Sequence, residues 1–198
     1  MCIRDSGCSN SASDNIQVFA LPAVTFTAPA DLCLDAGVQN NLGGGNPSGG
    51  IYSGPGVTDD GNGMTYDFDP STAGVGTHTI TYSITDQNVC ANSASDDIQV
   101  FALPTVTFTA PADLCIDAGV QNGLGGASPI GGVYSGPGIT DDGNGMTYSF
   151  DPATAGVGTH NITYTIGVSG CIDSNSDMIQ VFSLPLSLIH ISEPTRPY

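Results

Sequence analysis

The sequence predicts an all-β chain of tandem β-sandwich domains, and three observations carry that reading. The chain repeats itself at a domain-sized offset, its apolar residues alternate with polar ones in short runs, and Gly, Pro, Asn and Asp punctuate those runs. At an offset of about 82 residues, Val24–Cys33 (VTFTAPADLC) returns as Val106–Cys115, Tyr52–Gly56 (YSGPG) as Tyr134–Gly138, and Asp69–Ile80 as Asp151–Ile162. Cys8–Phe19 matches Cys90–Phe101, so residues 7–20 are expected to be the C-terminal strand of a truncated repeat. Residues 21–102 then make repeat one and residues 103–185 repeat two. Units of about 80 residues exceed the usual solenoid repeat and suit self-contained sandwich domains.

The elements follow in order within each unit. Val24–Thr27, Asp31–Leu34, Gly50–Ser53 and Met64–Phe68 are expected strands. Thr79–Ile84 (TITYSI) sets Ile80, Tyr82 and Ile84 on one face and Thr79, Thr81 and Ser83 on the other, the period of a half-buried strand. Ile162, Tyr164 and Ile166 keep that pattern in the second copy, and Ile98–Phe101 closes the first unit. Pro70–Gly74 suits one helical turn, with Pro at its first position. Gly43–Gly50 and Asp59–Gly63 read as turns, because Gly and Asn tolerate positive φ. Ile98–Phe101 runs through Ala102-Leu103-Pro104 almost directly into Val106–Thr109, which leaves little hinge and predicts a semi-rigid array.

Both ends fall outside the repeat. Residues 1–6 (MCIRDS) and 186–198 (LSLIHISEPTRPY) hold the only arginines, Arg4 and Arg196, and the only glutamate, Glu193. A DNA element that encodes the first segment encodes Leu186–Ile191 when read from the opposite strand. The two ends resemble translated adapters of sequencing libraries, which implies a reading frame from an assembled metagenomic fragment, and they are set aside from fold reasoning.

Charge then narrows the function classes. The whole chain has 19 acidic residues against 2 basic ones, a formal net charge of −17. Between Gly7 and Pro185 there is no Lys, Arg, Glu or Trp, so side-chain charge there is carried by Asp and by any protonation of His78 and His160. A surface without cations cannot neutralise phosphates, which argues against nucleic acid and against anionic lipid as partners. No apolar run reaches the length needed to span a bilayer, so membrane insertion is not expected.

Phe68–Tyr82 and Phe150–Tyr164 share the motif F-D-P-x-T-A-G-V-G-T-H-x-I-T-Y, each followed by a cysteine after a short hairpin. With Cys33, Cys90, Cys115 and Cys171, this pattern resembles the immunoglobulin-like, PKD- and adhesin-type repeats of very large secreted or cell-surface proteins from gliding and biofilm-forming bacteria. The resemblance covers essentially residues 7–185. It implies tandem immunoglobulin-like β-sandwich domains, display outside the cell, and a role in adhesion.

The cysteines are expected to pair within each copy, Cys33 with Cys90 and Cys115 with Cys171, the alternative being buried free thiols. Disulfides imply an oxidising compartment. No cofactor is required by the sequence. Calcium is the one metal it suggests, through an EF-like reading of Asp59, Asp60, Asn62 and Asp69, and of Asp141, Asp142, Asn144 and Asp151 in the second copy. The match is partial, since Thr58 stands where an Asp is needed and Asp69 where Glu is usual. A solvated hairpin loop is the competing account.

Catalytic constellations are hard to assemble. The acids are Asp in Gly- or Pro-flanked turns, and His78 and His160 share the inward parity of Ile80 and Ile162, as structural histidines at a core edge would. Gly43–Gly50 lacks the Lys of a phosphate loop. A non-enzymatic stalk or multivalent adhesive array is the expected function, with neighbouring repeats and an extracellular glycan or protein as partners. The alternative is a carbohydrate-binding accessory module of a secreted hydrolase, for which Tyr52 and Tyr134, beside a Gly-Pro turn, are the candidate ligand-binding aromatics.

Overall fold

A computed structural model describes residues 11–185. The adapter-like ends and Cys8 lie outside the described residues.

The first copy contributes β1 (Leu32–Cys33), β2 (Gln39–Leu42), β3 (Ile51–Ser53), β4 (Val57–Asp59), β5 (Tyr66–Phe68), the single turn α1 (Pro70–Ala73), β6 (Gly76–Thr85) and β7 (Ala91–Phe101). The second contributes β8 (Thr107–Phe108), β9 (Leu114–Cys115), β10 (Gln121–Leu124), β11 (Ala127–Ser128), β12 (Val133–Ser135), β13 (Ile139–Asp141), β14 (Tyr148–Phe150), α2 (Pro152–Ala155), β15 (Gly158–Val168) and β16 (Cys171–Phe182).

In the first copy one sheet runs β1-β7-β6-β3 and the other β2-β5-β4. In the second, β12-β15-β16-β9 and β10-β14-β13 repeat that order, with a small β11-β8 pair added. If the seven strands of the first copy are lettered in sequence, the second, fifth and fourth form one sheet and the third, sixth and seventh the other, with the first added beside the seventh. That is the B-E-D and C-F-G arrangement of the immunoglobulin fold. The chain is all-β, and each copy is an immunoglobulin-like sandwich.

By compactness the chain divides into two units. One comprises the described residues up to Ala30, Val38–Ala73 and Thr77–Ile98; the other comprises Asp31–Gly37, Gly74–Gly76 and the residues from Gln99 onward. The segment around Cys33 therefore belongs with the second unit although its sequence belongs to the first copy.

Alternation in the last hairpin explains the core of each copy. Ile80 and Tyr82 on β6, and Ile98 and Val100 on β7, are fully buried, as are Ile162, Tyr164, Ile179 and Val181 on β15 and β16. The β15–β16 ladder runs unbroken from Gly158 opposite Val181 to Val168 opposite Cys171. Backbone pairing thus carries β7 and β16 well upstream of their apolar residues, through polar stretches in which side-chain alternation gave no strand signal. Residues 11–20 form no strand and are exposed, although their sequence matches β7. Strands of this type are held along their length by the preceding hairpin arm, and residues 11–20 have no strand partner among the described residues.

Aromatic rings fill the space between the sheets. Tyr52 stacks at tilted angles on Tyr66 and Tyr82, with ring centroids 4.5 and 4.6 Å apart, and Phe26 meets Tyr52 edge-on at 5.9 Å. Phe108, Tyr134, Tyr148 and Tyr164 repeat the cluster. Each buried tyrosine brings a hydroxyl, which buried Tyr usually matches with a hydrogen-bond partner. The Tyr82 hydroxyl donates to the Pro47 carbonyl at 2.6 Å and accepts from the Gly50 amide at 2.8 Å. Gly50 is required by that approach, because a Cβ there would sit 2.5 Å from both the Tyr82 ring and the Ser83 carbonyl oxygen.

Candidate functional site

The cysteines give the sharpest departure from expectation. Cys33 is bonded to Cys171, with Cα atoms 5.6 Å apart and a sequence separation of 138. Cys90 and Cys115 are free thiols, the first half-buried and the second exposed. The expected pairings Cys33–Cys90 and Cys115–Cys171 are both corrected, and strand register gives the reason. β1 runs parallel to β7 and sets Cys33 beside Phe101, at the C-terminal end of that strand. Cys90 immediately precedes the N-terminal end of the same strand, so an extended β7 holds the two apart by roughly 35 Å. A disulfide needs Cα atoms within about 7 Å. The second copy repeats this layout, with Cys115 beside Phe182 and Cys171 at the start of β16. The signal was present in the sequence as two cysteines flanking one long final strand, but it is legible only once β1 is known to pair with that strand's far end.

Tyr52 and Tyr134 are each only 3% exposed. Their reading as ligand-binding aromatics near a loop is corrected, since the ring faces are occupied by neighbouring tyrosines. The Tyr52 hydroxyl accepts from the Gly45 amide at 3.0 Å and donates to the Met64 carbonyl at 3.1 Å, tying the Gly-rich loop to the acidic turn. Burial raises the pKa of both phenols.

In the acidic turns the oxygens are committed to the chain itself. Asp59 accepts from the Tyr52 amide at 2.7 Å and from the Gly61 amide at 2.8 Å. Asn62 accepts from the Met64 and Thr65 amides at 2.7 and 2.9 Å, and the Thr65 hydroxyl donates to Asp60. Asp141, Asp142 and Asn144 repeat these bonds with Tyr134, Gly143, Met146 and Thr147. Asp69 and Asp151 serve at the starts of α1 and α2. Asp69 accepts from the Ser71 amide and hydroxyl and from the Thr72 hydroxyl, and Asp151 accepts from the Ala153 amide and the Thr154 hydroxyl. Among the described residues no three His, Cys, Asp or Glu side chains come together to hold a metal ion. The eight residues of the EF-like reading are instead brought into two turns closed by their own hydrogen bonds and two helix starts.

This is how a cation-free chain accommodates its acids. Further carboxylates accept backbone amides from distant segments: Asp96 from Ala28, Asp31 from Gln99, Asp177 from Ala110 and Asp113 from Gln180, each at 2.9–3.0 Å. Bonds from the Ser71 and Thr72 hydroxyls bring Asp69 down to about 2, the Thr154 hydroxyl lowers Asp151, and the Ala110 amide lowers Asp177. Carboxyls with depressed folded-state pKa values stabilise the fold above their unfolded values and lose that contribution as pH falls through the folded ones. Stability is therefore expected to decline from about pH 4 towards about pH 2. Melting temperatures across that interval test this, with an Asp69→Asn, Asp151→Asn variant showing a shallower acid slope than the parent.

His160 is half-buried, and its Nε2 lies 2.7 Å from the Gly156 carbonyl oxygen, just after α2. His78 is half-buried at the equivalent place. Both sit at the core edge, as their parity implied.

No family model and no curated protein matches the sequence. Among solved structures, the fibronectin(III)-like modules of CbhA from Clostridium thermocellum align with 81% of this chain and 95% of theirs, at 16% identity and a TM-score of 0.39. The insect immune protein hemolin aligns over 85% of this chain and 49% of its own length, at 12% identity and a TM-score of 0.37. A tri-modular GH5 endo-beta-1,4-glucanase from Bacillus licheniformis aligns over 81% of this chain and 39% of its own, at 14% identity and a TM-score of 0.30. This chain thus spans about half of hemolin and less of the glucanase. The fold assignment rests on the strand order described above and not on these likenesses.

Proposed function

We propose that this chain is a non-catalytic structural or adhesive module of a large secreted or surface-displayed bacterial protein, acting as a stalk or a multivalent array. The observation that supports it is the path available to mechanical load. Tension applied at the ends enters at Cys33 and crosses directly to Cys171, so the 138-residue span between those positions is bypassed. A spacer that transmits force without lengthening needs such a path.

The bridge also favours an oxidising location outside the cell, where disulfides persist. No helix among the described residues is long and apolar enough to cross a membrane. Neighbouring repeats and an extracellular glycan or protein are the partners this reading assigns, with nucleic acid disfavoured by the Asp-only charge. The carbohydrate-module alternative loses its candidate platform, because Tyr52 and Tyr134 are core residues.

Single-molecule pulling through the two ends tests the reading. The oxidised chain is expected to withhold a contour length of roughly 500 Å that appears when a thiol reductant opens the bridge, the length of the bypassed span when extended. Equal lengthening of oxidised and reduced chains would remove the mechanical argument.

A further inference from the structure

We infer that Cys90 and Cys115 are complementary halves of a further bridge of the Cys33–Cys171 kind, each reserved for the opposite cysteine of another copy of this repeat unit. The inference rests on the bond between Cys33 and Cys171 and on strand register, and not on the load-bearing reading.

Each copy carries one cysteine of each type. Cys33 and Cys115 stand on the short strand beside the end of the last strand, opposite Phe101 and Phe182 respectively. Cys90 and Cys171 stand at the other end of that strand, where the final hairpin turns. The length of the last strand forbids a bond between the two types within one copy. The bond that does form joins the first type from copy one to the second type from copy two. What remains among the described residues is one thiol of each type, Cys115 and Cys90.

Burial beside the cysteines follows the same division. At the bridged hairpin end, Cys171 is 1% exposed and Ile166 4% exposed. At the unbridged one, Cys90 and Ile84, the residue equivalent to Ile166, are only half-buried. The short-strand side behaves alike: Phe101, beside the bonded Cys33, is half-buried, whereas Phe182, beside the free Cys115, is 50% exposed. Cys90 and Ile84 are thus more open than Cys171 and Ile166, and Phe182 is more open than Phe101.

The chemistry is thiol–disulfide exchange with a small-molecule disulfide as oxidant. The Cys115 thiolate attacks oxidised glutathione and releases one glutathione thiolate. The Cys90 thiolate of the other copy then attacks the Cys115 sulfur of the mixed disulfide and releases the second. Two thiols lose two protons and two electrons, and one oxidised glutathione becomes two reduced molecules.

The further copy can come from a second molecule or from the same polypeptide, and two arms distinguish these sources. In the first, the full chain with Cys2→Ser and Cys8→Ser is incubated with oxidised glutathione at rising protein concentration, and the bonds are mapped by non-reducing mass spectrometry. Dimers are expected in which the Cys115–Cys90 bond exceeds either like-with-like bond by on the order of tenfold. In the second, the same chain lengthened by one further copy of residues 103–185 is expected to bond Cys115 to the added equivalent of Cys171 at every concentration. Adding Cys115→Ser, an exposed position, abolishes either product while leaving Cys33–Cys171 in place. The inference is overturned by like-with-like bonds at statistical yield, by an internal Cys90–Cys115 bond, or by thiols that stay reduced in both arms. A failed pulling experiment with correct Cys115 pairing would reject the stalk reading alone.

Discussion

Replacing Cys33 and Cys171 together by serine is expected to lower the stability of the oxidised chain by up to about 5 kcal/mol, the loop-entropy value for closure over a separation of 138 residues. A bridge over the same-copy spacing of about 56 residues would be worth slightly less, about 4 kcal/mol, so magnitude alone does not distinguish the two pairings. Location does. The closed loop spans most of both sequence copies, so it restricts the unfolded ensemble of both compact units at once. Denaturant unfolding of the double-serine variant is expected to shift to lower midpoint in both units, and to show two transitions where they are not already resolved. Using both substitutions matters, because Cys33→Ser alone would leave a buried thiol at Cys171. A non-reducing digest supplies the direct check: a Cys33–Cys90 peptide in its place would reject the register that underlies this account.

Tyr164→Phe is expected to destabilise the second unit by about 3 kcal/mol, whereas Tyr148→Phe is expected to be neutral or slightly stabilising. The two substitutions remove the same atom from equally buried rings of one cluster. The Tyr164 hydroxyl donates to the Pro129 carbonyl and accepts from the Gly132 amide, both at 2.7 Å, so its loss strands two backbone groups. The Tyr148 hydroxyl is buried with no hydrogen-bond partner among the described residues, so its loss relieves an unmatched polar group. Burial, reinforced by Tyr134, pushes Tyr148 up to about 12. Its ionisation by absorbance is then expected well above that of exposed tyrosines, and stability to fall between about pH 10 and about pH 12 as the unfolded chain ionises first. Tyr82 and Tyr66 should reproduce the contrast in the first unit, where Tyr66 is likewise pushed up to about 12. Equal losses from Tyr148→Phe and Tyr164→Phe in denaturant midpoint would show that Tyr148 is hydrogen-bonded after all.

Alternation and turn chemistry were enough to place β3, β5 and β6, the helical turn at Pro70 and the acidic turn at Asp59–Gly63. They were not enough for β2 and β4, or for the upstream half of β7. Gln39–Leu42 buries neither of its central residues, and Ala91–Asp97 alternates only weakly, so both are strands by virtue of the neighbours they pair with. Tyr52 illustrates the same limit from the other side. Its neighbours in sequence are a Gly-Pro turn, yet a strand only three residues long turns its ring inward onto Tyr66 and Tyr82.

The sequence by itself determined the all-β class, the repeat, the absence of any cation between Gly7 and Pro185, and the existence of one cysteine of each type per copy. These are properties of residue identity and spacing, which local periodicity reports. Only the tertiary structure decided which cysteines meet. That choice depends on a parallel pairing between Cys33 and Phe101, residues far apart in sequence, and on an intervening strand too long for Cys90 to reach back. The same non-local packing decided that the Asp carboxylates bind the chain's own amides and hydroxyls, because an acceptor with no cation to face is satisfied by whichever donor folding brings near.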